Sequence, residues 1–237
     1  LLDSAQASAV ASVVPARIKR FGRMAEAPWI TIVGLGEDGP DGLSAASRRA
    51  LEQAEVLMGP ERHLSLLLDL KAERIAWPVP FADGLPILTS LRGRRVVVLA
   101  SGDPFWFGAG TVIARSFGRG EWQALPGPSS FSLAANRLGW PLERTLCLGL
   151  HAAPLARLRP HLVPGLHAIL LLRDGAAVAE LARYLVTQGF PESRLIVMEA
   201  LGGPRERISE ARADALGDEE FAHPLAVAVE IAGSGAV

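Results

Sequence analysis

The run Val96-Val-Val-Leu-Ala100 is unbroken in its apolar character and stops at once at Ser101-Gly-Asp-Pro104. Successive side chains of a strand point to opposite faces, so a strand with one wet face must alternate apolar and polar residues. A strand that does not alternate is covered on both faces, which is the situation of a parallel sheet flanked by helices. Ala168–Leu172 has the same unbroken character, and Trp29–Val33 and Leu225–Ile231 are apolar but for Thr31 and Glu230. Shorter extended segments are expected at Val56–Met58, Trp122–Leu125, Thr145–Leu150 and Arg194–Glu199.

Between these strands lie helical patterns. Ser44–Ala54 carries Ser44 as a candidate N-cap, and Pro60–Leu68 opens on a proline favoured in a first turn. Further helices are expected at Gly110–Phe117, Ser129–Leu138, Pro154–Leu162 and Ala176–Gln188. Strand and helix in alternation give an α/β architecture with mainly parallel or mixed sheets.

The 237 residues, at roughly 150 per domain, allow one large domain or two small ones. The stretch Leu125-Pro-Gly-Pro128 is the expected boundary, giving units at 28–124 and 125–232. Residues 1–27, rich in Ala, Ser and Val and then in Arg, read as an extension, a tag or a transit peptide, with Met24 a plausible natural start. Residues 233–237 read as a flexible tail or linker.

The charge balance, 24 basic against 25 acidic side chains, excludes bulk electrostatic binding to nucleic acid or to an acidic membrane. The single cysteine, Cys147, excludes an intrachain disulfide and a cysteine-rich metal site, and fits a reducing cytoplasm. Cys147 itself reads as a small buried hydrophobe. The histidines show no ligand spacing, so no metal site is expected.

Three loops follow strands and open helices. The first, Gly34-Leu-Gly-Glu-Asp-Gly39, has the letters of the dinucleotide fingerprint, with Glu61 near the place of its ribose-binding acid. Glu37 and Asp38 would put two carboxylates where that fingerprint holds a pyrophosphate, against the logic of anion binding at a helix start. A wide β–α turn is the plainer reading. The second loop, Ser101-Gly-Asp-Pro104, leads into Phe105-Trp-Phe-Gly-Ala-Gly110. Ligands of open α/β sheets sit outside the carboxyl ends of the strands, where Gly102 admits close approach and Asp103 offers a carboxylate; a turn residue before Pro104 accounts for Asp103 equally well. The third loop, Pro126-Gly-Pro-Ser-Ser130, puts Ser129 at an N-cap and two hydroxyls at a helix start.

The three loops in this order resemble the tetrapyrrole (corrin/porphyrin) methylases, which carry G-x-G-P-G-D, then a G-D-P loop, then P-G-x-S-S. Met58-Gly-Pro-Glu-Arg62 with His63, Leu148-Gly-Leu-His151, and Val197 through Arg207 look most like members that methylate C5 of a corrin precursor. The sequence departs from the pattern at Glu37, where the family has proline, and at Ala152-Ala153, where these members have Gly-Arg.

The resemblance implies two α/β domains with the active site in the cleft between them, and S-adenosyl-L-methionine as cofactor, leaving as S-adenosyl-L-homocysteine. It implies cofactor contacts from Ser101, Gly102, Asp103, Trp106, Ser129, Ser130, Arg173 and Leu201. Gly34, Gly36 and Gly39 would line a trough for a precorrin, a small molecule with many carboxylates. Glu37, Asp38 and His151 are the candidate catalytic residues. Arg62, Arg137, Arg173 and Arg205 are available for substrate carboxylates, with no ground in the sequence for choosing among them. A homodimer is implied, as is a fused or partner C15-methyltransferase/decarboxylase domain. Other readings are a different tetrapyrrole methylase, a diphthine synthase-like enzyme, a dinucleotide-binding module, and an inactive scaffold. Trp77, Trp122 and Trp140 read as core or interface residues.

Overall fold

The unbroken apolar strands do what their composition demands. In a computed structural model describing residues 28–235, a wholly parallel five-stranded sheet has its three inner strands buried on both faces. Its strands are β1 (Ile30–Leu35), β2 (Val56–Gly59), β3 (Glu73–Ala76), β4 (Val96–Ser101) and β5 (Trp122–Leu125), in the order β3-β2-β4-β1-β5. Alternate residues of β4 serve opposite cores: Val96 and Val98 pack with Ile30, Ile32, Val56 and Met58, whereas Val97 and Leu99 pack with Val33, Leu35 and Leu57. Helices α1 (Ala45–Glu52), α2 (Glu61–Ser65), α3 (Gly84–Ser90) and α4 (Gly110–Ser116) complete these layers. Ser44 caps α1 as expected, its side chain accepting a hydrogen bond from the Ser47 amide.

After Leu125 the chain leaves the first sheet, and α5 (Ser130–Leu138) packs on a second one. That sheet comprises β6 (Leu146–Gly149), β7 (His167–Leu171), β8 (Arg194–Glu199), β9 (Arg207–Arg212) and β10 (Leu225–Glu230), in the order β6-β7-β10-β8-β9. Only β6 and β7 pair in parallel; the other pairings are antiparallel. The sheet is therefore mixed, since β10 returns to the centre of the sheet between β7 and β8. Helix α6 (Ala176–Thr187) covers one face through Val178, Leu181 and Leu185, while α5 covers the other through Phe131, Ala134 and Ala135.

The expectations for residues 1–27, 236 and 237 lie outside the described residues. Of the expected tail, the Gly235 amide donates to the Gly189 carbonyl at 3.1 Å. Two strands and one α-helix have no counterpart in the sequence reading: β3, β9 and α3. Strands β3 and β9 are edge strands with no fully buried residue, so the apolar run that marks a central strand is missing from them. The expected helix at Pro154–Leu162 is instead a 3-10 helix, Leu155–His161. Pro160 lacks the amide hydrogen that a continued α-helix needs.

Candidate active site

The loops after β1, β4 and β5 are joined backbone to backbone. The Gly102 amide donates to the Leu35 carbonyl at 3.1 Å, and the Gly127 amide donates to the Gly102 carbonyl at 3.0 Å. A side chain at Gly34 would overlap the Gly102 carbonyl oxygen and lie 2.5 Å from the Gly127 nitrogen. Gly102 has φ +52°, a conformation that costs an L-residue roughly 1–2 kcal/mol. The three glycine loops are thus one structure.

This junction borders a cavity of about 540 Å³ outside the carboxyl ends of the first sheet, within the usual size range of small-molecule sites. One wall comes from segments that follow strands of the first sheet: Arg62 and His63, Trp77 and Phe81, then Ser101, Asp103, Trp106 and Phe107. The opposite wall comes from the start of α5 and from the second sheet: Ser129, Ser130, Phe131, His151, Leu171, Leu172 and His223. Apolar surface dominates, with Trp106 lying 4.9 Å from Phe131 between ring centroids and Trp77 stacked on Phe81 at 4.4 Å. Phe107 adopts φ +59°, unusual for a bulky residue. A smaller cavity of about 70 Å³ adjoins it, lined by Gly36, Glu37, Gly102, Leu133 and Leu201, and sharing Arg62, Ser101 and Ser130 with the first.

The structure brings together Ser101, Asp103, Trp106, Ser129, Ser130 and His151 at the main cavity, and Gly36, Glu37, Gly102 and Leu201 at the smaller one. Asp103 Oδ1 accepts from the Phe105 amide at 2.8 Å, while Oδ2 has no hydrogen-bond partner among the described residues. Ser129 is the N-cap of α5, its Oγ accepting from the Ser132 amide at 3.1 Å. Ser130 Oγ makes no hydrogen bond among the described residues, which leaves its donor and acceptor to a ligand.

Four expected residues lie elsewhere. The Asp38 carboxylate folds back over Gly36 and Gly42 in its own turn and lines neither cavity. Gly34 is the packing point of the loops, and Gly39 sits against Leu66. Arg173 points to Asp174, with Nε to Oδ2 at 2.8 Å, and to Glu180 at 3.6 Å, away from both cavities. Its acidic neighbours in the chain satisfy it just after β7.

A charged network occupies the wall between the two cavities. Glu37 is 9% exposed, and both its oxygens are engaged: Oε1 accepts from Arg62, and Oε2 accepts from Arg205 Nη2 at 3.1 Å. Arg62 Nη2 also donates to Ser101 Oγ at 3.2 Å, and Ser101 Oγ lies 3.3 Å from His63 Nε2. Burial and the nearby Arg205 charge pull the Arg62 guanidinium below its ordinary range. His63 is 1% exposed, and burial, aided by the Arg62 charge and opposed by a contact with the Leu99 backbone, lowers its pKa to about 4. Its ring is therefore neutral at pH 7. His223 is shifted in the same direction, by burial first and then by Arg62.

The roles of His63, His223, Trp77 and Phe107 in lining the cavity were not singled out by sequence reasoning. The available signal was position: Arg62 and His63 follow the carboxyl end of β2, and Trp77 follows β3. Among the described residues, no group of three or more His, Cys, Asp and Glu is placed to hold a metal ion.

The model for Tetrapyrrole (Corrin/Porphyrin) Methylases matches residues 30–217. The chain is 45% identical over 209 residues to precorrin-6Y C(5,15)-methyltransferase [decarboxylating] of a Sinorhizobium species, covering 86% of this chain and 50% of that protein. It is 27% identical over 182 residues to cobalt-precorrin-7 C(5)-methyltransferase of Salmonella typhimurium, covering 76% of this chain and 88% of that protein. A solved structure of cobalamin-biosynthesis precorrin-6Y methylase from Archaeoglobus fulgidus superposes with a TM-score of 0.64 at 26% identity, over 86% of this chain and 98% of that one. The chain spans about half the length of the two-activity relatives it matches. With three glycine loops joined at one cleft and a family model matched across both sheets, the chain belongs to the tetrapyrrole methylases.

Proposed function

We propose that the chain is an S-adenosyl-L-methionine-dependent C-methyltransferase of corrin biosynthesis, acting at C5 of a precorrin-6/7-type intermediate. The observation that carries this reading is the cavity built by the three joined loops, in a chain similar over nearly all of a C(5)-methyltransferase and over half of a C(5,15)-methyltransferase. The residues present fit the cofactor. Asp103 Oδ2 and Ser130 Oγ have no hydrogen-bond partner among the described residues, Gly102 admits close backbone approach, and Trp106 offers an aromatic face that is 37% exposed.

When bound, the cofactor supplies an electrophilic methyl group on a sulfonium. The chain's own residues then have three tasks. Ser101, Gly102, Asp103, Trp106, Ser129 and Ser130 bind and orient it. The aromatic walls at Trp77, Phe81, Phe107 and Phe131 exclude water. The Glu37–Arg62–Ser101–His63 network fixes the wall between the cavities, with His63 Nε2 as a neutral group beside the Ser101 hydroxyl. Orientation of two reactants in one cleft can lower a barrier by up to ~7–11 kcal/mol, which suits a site with no nucleophile triad. His151 lines the cavity and remains a candidate catalytic residue; Leu201 shapes the smaller cavity.

The same reading includes a two-domain division near Leu125 and a homodimer, the latter resting on the family resemblance. It also includes a fused or partner C15-methyltransferase/decarboxylase domain, supported by the half-length coverage of the two-activity relatives. Calorimetric titration with S-adenosyl-L-homocysteine and with NAD tests the cofactor. Binding of the first supports the reading; binding of NAD alone overturns it; binding of neither favours an inactive scaffold. Light scattering that gives a lone 25.1 kDa species would contradict the dimer.

A further inference from the structure

Two guanidinium groups at the cleft share a single carboxylate, Glu37. Arg137 and Arg207 are committed to partners of their own. Arg137 forms a two-point pair with Glu206 at 2.7 and 3.0 Å, and Arg207 holds Glu199 and the Glu220 carbonyl. Arg205 differs. Its side chain is 64% exposed, and its only hydrogen bond among the described residues runs from Nη2 to Glu37. A guanidinium has five N–H donors in a planar fork that matches a carboxylate two points at a time.

The fork is held in place. The Gly202 amide donates to Glu206 Oε2 at 2.6 Å, and Arg137 clamps the same carboxylate from α5, so the turn that carries Arg205 is fastened on both sides. The position is central as well. Arg62 lines both the main and the smaller cavity, Arg205 lines a neighbouring one of about 450 Å³, and His223 links that space to the main cavity. Asp103, which also lines the main cavity, forms no ion pair with either arginine. The cluster of Glu37, Arg62 and Arg205 sums to one positive charge, in a molecule whose formal net charge is −1; Glu199 and Glu220 also line the space beside Arg205, Glu199 being paired with Arg207.

We infer that Arg205, backed by Arg62, is a subsite for a carboxylate of the substrate, with Glu37 as the internal partner that keeps both guanidiniums in position. This rests on the proposed function in so far as the ligand is a polycarboxylated tetrapyrrole. The pairing is charge-assisted and two-pointed, the geometry for which arginine is used in place of lysine. It selects Arg62 and Arg205 from the arginines available in the sequence.

Uroporphyrin III, a free tetrapyrrole octacarboxylate, is the probe, with binding read by quenching of tryptophan fluorescence at two salt concentrations. The expected result is that Arg205→Met weakens binding at least tenfold and reduces its salt dependence, while Arg212→Met, whose arginine is paired with Asp214, binds as the unmodified chain does. Affinity for S-adenosyl-L-homocysteine should stay within twofold in Arg205→Met. Equal porphyrin binding by Arg205→Met and the unmodified chain overturns the subsite, as does failure of the unmodified chain to bind the porphyrin. Porphyrin binding that depends on Arg205, in a chain that does not bind S-adenosyl-L-homocysteine, would keep the subsite and overturn the methyltransferase reading.

Discussion

Glu37 and Arg205 meet across the cleft, Oε2 to Nη2 at 3.1 Å, and so tie the loop after β1 to the turn after β8. The two residues are far apart in sequence and lie on different sheets. The contact is reinforced by Gly203, where a Cβ would come 2.6 Å from the Glu37 Cβ. The acidic residue that breaks the family's proline pattern is thus a fastening between the two halves of the site.

Glu37→Ala should destabilise the fold more than most single changes. It leaves Arg62 without a carboxylate in a largely buried position, and breaking a buried pair in this way costs about 3–5 kcal/mol when solvent is fully excluded. Arg62 retains some solvent contact, so a loss of roughly 2–4 kcal/mol is expected. Arg205→Met removes an exposed partner and should cost roughly 0–1 kcal/mol. Urea unfolding of the two variants checks the order; a larger loss in Arg205→Met than in Glu37→Ala would contradict the account.

Gly34→Ala should disrupt the joined loops, because the added carbon meets backbone atoms of Gly102 and Gly127 that have no flexible side chain to yield. Gly102→Ala should be milder, about 1–2 kcal/mol from its positive φ, with further strain against the Pro128 carbonyl at 2.7 Å. Thermal melting and calorimetry with S-adenosyl-L-homocysteine should show both variants impaired, Gly34→Ala the more so.

Stability should fall as the solution is acidified from pH 7 towards pH 4. His63 is held neutral in the fold, with a pKa of about 4, whereas an unfolded histidine titrates near 6.5. Between these values the unfolded chain binds more protons, so stability is complete above the unfolded pKa and is lost as pH falls towards the folded one. The loss approaches roughly 3 kcal/mol at the lower end of the window. His223, lowered in the same direction, adds to it. In His63→Gln the difference in unfolding free energy between pH 7 and pH 5 should shrink; an unchanged difference would refute the assignment.

Trp106→Ala and Phe131→Ala should separate binding from stability. Trp106 is part-exposed at the cavity mouth, and its loss should weaken S-adenosyl-L-homocysteine about tenfold, equivalent to roughly 1.4 kcal/mol, with little change in melting temperature. Phe131 is fully buried in the core between α5 and the second sheet, and its loss should cost about 3–5 kcal/mol of stability. Calorimetry paired with chemical denaturation distinguishes the two effects.

The framework of the molecule is written in local sequence. Val96–Ala100, apolar at every position and followed at once by Ser101-Gly-Asp-Pro104, reads as a strand covered on both faces, and Ser44 and Ser129 cap the helices they precede because a short hydroxyl side chain there satisfies an otherwise unpaired amide. The glycine loops carry their order in the chain, and Ser101, Asp103, Trp106, Ser130 and His151 arrive at one cavity because strand ends of an α/β sheet converge. Edge strands β3 and β9 leave no such trace, because pairing on a single side demands no apolar run.

What only the tertiary structure decided is which charges meet. Arg137, Arg173 and Arg205 are equivalent as letters. Folding gives the first to Glu206 and the second to Asp174 and Glu180, and sets the third beside Arg62 on a carboxylate already in use. The same holds for Asp38, turned into its own loop, and for His63, neutral because it is buried beside a guanidinium. Hydrophobic periodicity is a property of neighbours in the chain and can be read from them. The pairings of Arg137 with Glu206 and of Arg205 with Glu37 depend on distances between residues that the chain brings together only when the distant elements are in place, and sequence holds no measure of those distances.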